Sequence, residues 1–594
     1  MDDLKQAIKH AQEAFNATPL DHPDRAVYLN SLGLWLSDRY SHTENVNDLE
    51  QAIAYAHEVV RITPHNDSQR AIYLNNLGNN FGDRYRRTSR IDDLEQAIAH
   101  AQEAVQTIPP HHPNRAMYLT ELGVRLETRW ARIGNEEDYE RSVGFLEAAV
   151  ACVTAPPLPR IVGGRSIIRI LHQRENWKDG AVIAKTLFDL LPDLCGQYLS
   201  RGDQLHAMKQ VSGFAADACS LSLKTRNSCE ALQRVETGRA LILSYLMDSR
   251  SDISKLALSH PDIAREYDEL RIRASKAITL SEDRTTLEII SQERHIVSRL
   301  LEDCKQRIRN KSGFEKFLLP ASVPEMMQCA IEGPIVIVNA TDISSDAILV
   351  FESAIEVLPL PTMCSRLPGS YRHAFERYRT VGRRDFQRDV DSDVLYQHDT
   401  DLLSWLWSTC VSPVLHKMTE RASGEVKCKL PRVWWIGTGV ASSLPFHAAG
   451  DFSSGVPKIF ESCLFQSVSS YTSSIKNLSR AKAIASKAPV EKRSLLIITM
   501  PTTPGHRRLL GAIDEADAVR SVVEYRWRVK TLVCPSASQV LEEIPNFDVV
   551  HFACHGSSER ADPLQSHLLL QKEDEEGERA VDRLTVSALL DANA

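Results

Sequence analysis

Long apolar runs are missing from this chain of 594 residues. No segment approaches the roughly 18 to 20 consecutive apolar residues that a membrane-spanning helix needs. The first residues, Met1–Gln6, have neither the basic part nor the apolar part of a secretory signal. The sequence therefore predicts a cytoplasmic protein that has no membrane partner.

An excess of positive charge is also missing. The chain has 70 lysines and arginines against 78 aspartates and glutamates, which gives a formal net charge of −8. Nucleic-acid binding needs basic side chains clustered against phosphates, and no segment of this sequence concentrates them in that way. The composition therefore argues against a nucleic-acid partner.

Cysteine pairs with metal-binding or disulfide spacing are missing as well. The 12 cysteines are scattered between Cys152 and Cys554, and none stands in a Cys-x-x-Cys pair. This pattern is typical of reduced thiols in the cytoplasm. Since no phosphate-binding loop of the form G-x-x-x-x-G-K-[ST] occurs either, we expect neither a metal nor a cofactor.

What the sequence does contain is an internal repeat with a period of 45 residues. The phrase Asp-Leu-Lys/Glu-Gln-Ala-Ile begins at Asp3, Asp48 and Asp93, and it recurs in decayed form at Asp138. A Leu-Gly pair keeps the same phase, at residues 32–33, 77–78 and 122–123. Apolar residues fall at i, i+3, i+4 and i+7, which is the pattern of an amphipathic helix. Each unit is therefore predicted to be a helical hairpin, in a solenoid that spans residues 1–152.

Small residues inside the helices add to this prediction. Glycine inside a helix costs about 1 kcal/mol, so Gly33, Gly78 and Gly123 need a reason such as close approach of the next helix. Ala52 offers a matching small side chain on that helix. These positions resemble the tetratricopeptide repeat, whose period is shorter, at about 34 residues. We expect the extra length to lie in two longer loops, Ser41–Asn47 within a hairpin and His65–Gln69 between two hairpins.

A solenoid of this kind usually presents a concave groove that binds peptides. Asn30 and Asn75 occupy equivalent positions on the first helix of two hairpins, and an amide side chain can hydrogen-bond an extended peptide backbone. The sequence thus predicts a protein or peptide ligand on the array, with Asn30 and Asn75 as candidate groove residues. The alternative is that both are solvated surface residues.

The middle of the chain, residues 153–320, predicts further helices without a clean period. One of them runs through Ala231–Met247. The phrase Glu236–Ser244 within it carries no nucleophile or metal geometry, and we predict a structural role for it.

The pattern changes after residue 321 to alternating strands and helices. Three short β-branched runs predict a small antiparallel meander, at residues 335–338, 347–351 and 355–360. Ser365–His398 is polar and predicts a connection. Three strands then alternate with helices, at residues 494–500, 528–533 and 548–554, and the first and last of them are predicted to be buried. This alternation predicts parallel strands covered by helices, and thus an α/β domain over residues 321–594.

His555 and Gly556 directly follow the last of these strands. The carboxyl ends of parallel strands are where ligands bind, and a histidine there can act as a general base or acid. The glycine permits a tight turn and leaves its N–H free to face an oxyanion. A structural histidine is the alternative. Zinc is disfavoured, because Cys554 and His555 are adjacent, point to opposite faces of a strand and have no second ligand pair nearby.

The segment Val549–Gly556 resembles the CHAT domain, a caspase/separase-like cysteine-peptidase module that commonly follows tetratricopeptide repeats. Residues Asp562, Pro563 and Leu568–Leu570 behind it fit the same family. Further phrases fit it too, in particular its fungal members, at residues 403–407, 431–436, 444–450, 469–471 and 500–505. The resemblance runs over residues 230–594. Together with the repeats it implies an α-helical solenoid followed by an α/β caspase-like domain.

By this resemblance His555 is the catalytic histidine and Gly556 is a backbone oxyanion donor, while a cysteine thiolate attacks a peptide carbonyl. In the family that cysteine ends the next strand, in a Leu-Ser-Ala-Cys type phrase. Leu584–Leu590 matches the helix before that strand, and the chain stops at Ala594. We therefore expect a domain that is incomplete at its C-terminus and lacks the nucleophilic cysteine, with Cys554 as a buried, inert thiol.

Two functions of different classes follow from these observations. The first is a TPR-CHAT protein whose complete form is a cysteine endopeptidase, with the array as an interaction platform and the present chain inactive. The second is a non-catalytic scaffold with a degenerate peptidase module. A truncated gene model is a third interpretation, in which the inactivity comes from the truncation.

Overall fold

The computed structural model describes most of residues 2–592. Its description leaves out residues 20–21, 23, 68, 111, 195–209, 276–283, 316, 320, 366–401, 422–429, 453–458, 487–492, 560–562 and 574–576. The chain divides into two compact units, Met1–Gly196 with His206–Phe214, and Gln197–Leu205 with Ala215–Ala594. The three-domain division at residues 152 and 320 stays a prediction.

The first unit is built of consecutive packed helices whose starts recur with the period of the sequence. The helices are α1 Asp2–Ala17, α2 Arg25–Thr43, α3 Val46–Ile62, α4 Arg70–Thr88, α5 Ile91–Thr107, α6 Arg115–Ile133, α7 Glu136–Ala151, α8 Pro157–Gln173 and α9 Trp177–Leu194. Helices α2, α4 and α6 each begin a hairpin, and α3, α5 and α7 complete it. The predicted helical solenoid is confirmed.

The two helices of a hairpin are joined by two residues only. Helix α2 ends at Thr43 and α3 begins at Val46, so the expected loop Ser41–Asn47 is wrong. The joint is tight because Glu44 has a left-handed backbone, with φ 56°, and donates its N–H to the Tyr40 carbonyl at 2.7 Å. Helices of 19 and 17 residues account for part of the extra length. The predicted loop between hairpins, His65–Gln69, lies in the connection between Ile62 and Arg70.

The glycines inside the first helices mark close helix contacts, as expected. A Cβ added to Gly78 would lie 3.3 Å from the Ala97 carbonyl oxygen of the next helix. At Gly123 it would lie 2.6 Å from Leu146 Cγ, which no real Cβ tolerates, whereas at Gly33 the nearest atom is 3.6 Å away. The space available for a Cβ at this repeat position therefore differs between the three hairpins.

A buried ion pair closes each hairpin. Arg39 binds both carboxylate oxygens of Asp48 at 2.7 Å. Arg129 binds both carboxylate oxygens of Asp138 in the third hairpin, whereas Arg84 of the second hairpin binds Oδ1 of Asp93 alone. The three aspartates are only 1 to 3% exposed. Loss of one partner from such a buried pair typically costs about 3 to 5 kcal/mol, so the pair constrains the angle of the hairpin.

The helices of the middle and C-terminal parts follow along the chain. They are α10 Phe214–Lys224, α11 Ser228–Ser259, α12 Pro261–Ser275, α13 Arg284–Arg309, α14 Val323–Gln328, α15 Pro361–Ser365, α16 Ser412–Arg421, α17 Cys463–Gln466, α18 Ile475–Ala485, α19 Ala512–Val523, α20 Ala537–Glu543 and α21 Val586–Ala592. A π-helical turn, Trp407–Val411, precedes α16. The predicted connection Ser365–His398 lies outside the described residues, except for its first residue.

The predicted meander forms part of a larger sheet. Its strands are β1 Ile335–Ala340, β2 Ser345–Val350, β3 Ile355–Pro359, β4 Arg432–Gly439 and β5 Val468–Tyr471, in the order β3-β2-β1-β4-β5. The pairing of β1 with β2 and of β2 with β3 is antiparallel, as expected, but β1 also pairs in parallel with β4. Strands β1 and β2 are buried throughout.

Two three-stranded sheets complete the second unit. Strands β6 Ser494–Thr499, β7 Arg528–Val533 and β8 Val549–Ala553 pair in parallel in the order β7-β6-β8. Strands β9 Gly556–Ser557, β10 His567–Glu573 and β11 Arg579–Thr585 are antiparallel. The parallel alternation is confirmed. The prediction that residues 548–554 form a fully buried strand is wrong, because β8 lies at the sheet edge among the described residues and is mostly half-exposed.

The phrase Glu236–Ser244 of helix α11 connects that helix to the five-stranded sheet. The buried Glu236 carboxylate accepts the single backbone N–H of Ile475, which lies 3.0 Å from Oε1 and 2.9 Å from Oε2, and so covers the N-terminus of α18. Arg239 Nη1 donates to the Gly437 carbonyl of β4 at 2.6 Å. These contacts give the phrase a structural role, as predicted.

The glycine contacts predict opposite effects for one substitution at two equivalent positions. Gly33→Ala should stabilise α2 by up to about 1 kcal/mol, because alanine is the better helix former and the space is open. Gly123→Ala should destabilise the third hairpin by about 1 to 3 kcal/mol, because its Cβ meets Leu146. Hydrogen exchange of the full chain, read peptide by peptide, should show slower exchange in the first variant and faster exchange in the second. Equal effects at the two positions would contradict the account.

Candidate functional site

The carboxyl ends of β6 and β8 meet at one edge of the parallel sheet. Their register pairs Thr499 with Ala553, so the residues that follow each strand are neighbours. Met500 donates its N–H to the Ala553 carbonyl at 2.9 Å, which continues the pairing to the edge. His555 lies just beyond this point, where parallel sheets place their chemistry.

One ring nitrogen of His555 is fixed by a backbone carbonyl. His555 Nε2 lies 2.7 Å from the carbonyl oxygen of Arg507. Because a carbonyl oxygen can only accept, Nε2 carries the hydrogen, and the lone pair of the neutral ring is on Nδ1. The arrangement therefore leaves Nδ1 able to take a proton from a reacting group.

Arg507 is placed by the loop that follows β6. Leu509 donates its N–H to the Pro501 carbonyl at 3.1 Å, and His506 donates its N–H to the Thr503 carbonyl at 3.1 Å. The His506 ring lies 5.7 Å from the His555 ring, between centroids, and its Nδ1 is 2.9 Å from the Pro504 carbonyl. This loop therefore fixes the orientation of His555 through main-chain atoms.

Cys554 faces the opposite side of the strand from its neighbour. It packs with Val550 and Phe552 against the core that contains Leu496 and Ile498. Burial raises the pKa of the Cys554 thiol to about 11. The thiol is therefore protonated at neutral pH and directed away from the His555 ring, as expected for an inert cysteine.

Gly556 begins strand β9 instead of forming a tight turn. It lies opposite Leu568, and its φ is not in the left-handed region. The neighbouring pair is hydrogen-bonded, since Leu569 donates to the His555 carbonyl at 2.8 Å. In an antiparallel ladder the next pair is then non-hydrogen-bonded, so the N–H of Gly556 points away from β10. The expected tight turn at Gly556 is therefore wrong. Its N–H still points away from β10, and an oxyanion donor needs such an N–H that is not used in the sheet.

Two other histidines of the second unit have structural contacts. His447 Nδ1 lies 2.9 Å from the Tyr471 hydroxyl, which also accepts the His447 N–H at 3.0 Å. Burial lowers the pKa of His447 and raises the pKa of Tyr471 to about 12. His551 Nε2 lies 2.9 Å from Glu515 Oε1 of α19. Neither pair contains a nucleophile.

The two candidate groove residues of the array differ in their contacts. Asn30 Oδ1 accepts a hydrogen bond from Asn76 Nδ2 at 2.9 Å. Asn75 is 6% exposed, so it is not a solvated surface residue, and its Oδ1 has no hydrogen-bond partner in the part of the chain that the structure describes. A role of Asn30 and Asn75 in peptide binding stays a prediction.

The described residues contain no group of three or more histidine, cysteine, aspartate or glutamate side chains that could hold a metal ion. None of the described helices has the length and the apolar content needed to cross a membrane.

Comparison with known proteins bears on the second unit. Residues 400–593 match the family model described as "CHAT domain". The chain carries a CHAT domain. His555, Gly556 and the loop around Arg507 all lie within it, and helical repeats precede it. Its fungal character and its truncation stay predictions.

Two solved structures are similar to part of the chain. BtubC (BKLC) from P. vanneervenii is 10% identical, with a TM-score of 0.29, over 41% of this chain and 90% of that one. A Podosopora anserina putative kinesin light chain with nearly identical TPR-like repeats is 15% identical, with a TM-score of 0.27, over 39% of this chain and 100% of that one. TM-scores this low do not assign a fold or a function to the chain. No curated protein matches the chain.

The residue that orients His555 was not predicted from the sequence. Arg507 acts through its backbone carbonyl, which no side-chain pattern reveals. The available signal was Pro504-Gly505, since this dipeptide marks a turn at the carboxyl end of a strand.

The raised pKa of Cys554 predicts how its reactivity depends on pH. Burial disfavours the thiolate, so at pH 7.5 Cys554 should be alkylated at least about a hundredfold more slowly than N-acetylcysteine, whose pKa is ordinary. Between pH 7 and 9.5 its rate should rise about tenfold for each pH unit. Iodoacetamide labelling of the folded chain with peptide mapping measures both. A rate that levels off below pH 9 would contradict the burial of this thiol.

Proposed function

We propose that the helical repeats bind a protein ligand and that the CHAT domain presents one half of a cysteine-peptidase site. In this half-site His555 transfers protons and the N–H of Gly556 stabilises an oxyanion, and residues 1–594 do not supply the nucleophilic cysteine. The observation that carries the proposal is the 2.7 Å contact between His555 Nε2 and the Arg507 carbonyl, because it leaves Nδ1 as the base.

The chemistry of such a site follows from these two groups and a thiol. Nδ1 of His555 takes the proton of the thiol, and the thiolate attacks the peptide carbonyl carbon. The carbonyl oxygen becomes an oxyanion that accepts the N–H of Gly556. The imidazolium then returns the proton to the leaving amine as the C–N bond breaks, and water hydrolyses the acyl-enzyme. A backbone carbonyl on Nε2 orients the ring, which is the role an aspartate has in a catalytic triad.

A non-catalytic scaffold is the second candidate function. It is supported by the direction of Cys554, whose thiol lies in the core on the other side of β8. Other thiols of the described residues, such as Cys219 and Cys410, are fully buried, and burial raises their pKa values. Among the described residues no thiol is hydrogen-bonded to His555, so this part of the chain offers no activated nucleophile for peptide cleavage.

Peptide cleavage by the purified chain tests the proposal directly. The chain and its His555→Ala variant are incubated with a proteome-derived peptide library, and new N-termini are identified by mass spectrometry. We expect the two proteins to give the same cleavage products at background level. The variant His506→Ala is the matched control, because it removes a neighbouring ring without touching the proposed base. Cleavage that is present in the wild type and in His506→Ala but lost in His555→Ala would overturn the proposal.

The half-site itself is tested by the protonation of the His555 ring. Nitrogen NMR of the full chain with labelled histidine, assigned by comparison with His555→Gln, should show hydrogen on Nε2 and none on Nδ1 when the ring is neutral. The physical reason is that the Arg507 carbonyl accepts only from Nε2. A ring that carries its hydrogen on Nδ1 would have its lone pair on Nε2, against the Arg507 carbonyl. That result would contradict the assignment of Nδ1 as the base.

A further inference from the structure

The second hairpin provides an internal reference for the third, through an arginine at the start of its first helix. In the second hairpin Arg70 of α4 pairs with Glu103 of α5, with Nη2 2.9 Å and Nε 3.2 Å from Oε1. Arg70 Nη1 also donates to the carbonyls of Thr63, at 2.6 Å, and Val60, at 2.9 Å. The arginine is 6% exposed, so its charge is compensated by this carboxylate.

The third hairpin keeps the arginine and loses the carboxylate. Arg115 stands one repeat after Arg70, and its Nη1 lies 3.3 Å from the Ile108 carbonyl and 3.4 Å from the Val105 carbonyl. The residue one repeat after Glu103 is Ala148. Within the described part of the chain, no acidic side chain lies within ion-pair distance of Arg115. No carboxylate of the described residues therefore takes the place beside Arg115 that Glu103 takes beside Arg70.

A cavity of about 580 Å³ lies beside Arg115. It exists because three side chains are shorter than their counterparts one repeat earlier: Ala148 replaces Glu103, Gly144 replaces Ala99 and Ala151 replaces Gln106. A Cβ added to Gly144 would meet no atom within 4 Å, so this side of the cavity is open space.

The cavity combines apolar walls with positive charge. Val105, Leu119 and Phe145 give it apolar surface. Arg141 adds a second guanidinium where the previous repeat has Gln96; it donates to Gln102 Oε1 at 3.2 Å and lies 4.0 Å from a carboxylate oxygen of the exposed Glu137. Two arginines that line the cavity, of which only Arg141 lies near a carboxylate, favour an anionic group in the cavity.

We propose that this cavity is a docking site for an acidic side chain of the protein ligand, and the proposal rests on the platform role of the array. The ligand's Asp or Glu carboxylate takes the position on Arg115 that Glu103 takes on Arg70. An adjacent apolar side chain of the ligand contacts Phe145 and Leu119. The occupant is a peptide segment, because the equivalent position in the second hairpin holds a protein carboxylate in the same contact.

Cys152 lines the same cavity and reports on its charge. Its thiolate displaces iodide from iodoacetate or from iodoacetamide, and the two reagents differ in a carboxylate. We expect the ratio of the iodoacetate rate to the iodoacetamide rate to be at least about threefold higher at Cys152 than at the exposed Cys229 of α11. Ala148→Glu supplies the missing carboxylate and should remove this excess while the chain stays folded. Equal ratios at both cysteines, or no effect of Ala148→Glu, would overturn the proposal.

Protection of Cys152 tests the peptide part of the proposal. The probes are Ac-Phe-Glu-Leu-NH2 and Ac-Phe-Gln-Leu-NH2, which differ in one charge, and sodium acetate at the same concentration. The glutamate peptide should slow iodoacetamide labelling of Cys152 at least twofold at millimolar concentration, and the other two should not. Arg115→Met should abolish protection, whereas Arg132→Met, at an exposed arginine of the same helix, should preserve it.

Equal protection by both peptides, or by acetate, would contradict an acidic peptide site. The labelling rate of Cys152 depends only on the cavity of the third hairpin. Their failure would therefore leave the His555 half-site untouched, and a failure of the His555 experiments would leave this cavity untouched.

Discussion

The parallel pairing of β8 with β6 is the constraint on which the candidate site depends. The register pairs Leu495 with Val549 and Thr499 with Ala553, and side chains alternate along a strand. Cys554 is therefore directed into the core with Phe552, while His555 emerges on the other side, against the Arg507 carbonyl. A shift of one residue would exchange the two side chains, so the same pairing both exposes the base and removes the adjacent thiol from it.

A second constraint, the buried Arg–Asp pair of each hairpin, makes the repeats comparable position by position. Arg39, Arg84 and Arg129 each pair with the aspartate that stands nine residues later, so the three hairpins can be aligned residue by residue. With the hairpins aligned in this way, one difference between equivalent residues is important. The replacement of Glu103 by Ala148 leaves an arginine beside a cavity, and this contrast is what distinguishes the third hairpin from the second.

Much of the fold follows from local pattern, and the remainder depends on contacts between distant segments. The period of the repeat and the strands β6, β7 and β8 were predicted, because amphipathic periodicity and apolar runs are local signals. The loop Ser41–Asn47 was wrong because a single left-handed residue, Glu44, shortens the joint. The parallel pairing of β1 with β4 was missed because those strands are far apart in sequence.

The candidate site was predicted only in part, because some of its contacts also join distant segments. His555 follows a strand and could be found from its position, whereas the carbonyl that orients it belongs to a loop about 50 residues earlier and depends on tertiary structure. The direction of Cys554 followed from strand alternation alone. The edge position of β8 did not, since pairing decides which strand of a sheet lies outside.

The most direct test of the account is a reactivity profile of every cysteine in the purified chain, with and without His555. A thiol-directed alkyne probe is applied at neutral pH to the wild type and to His555→Ala, and the labelling rate of each cysteine is quantified. The account predicts the same rates in both proteins, because no described cysteine is in contact with the His555 ring. A cysteine whose labelling is fast in the wild type and slow in His555→Ala would be a nucleophile activated by that histidine, and it would contradict the account.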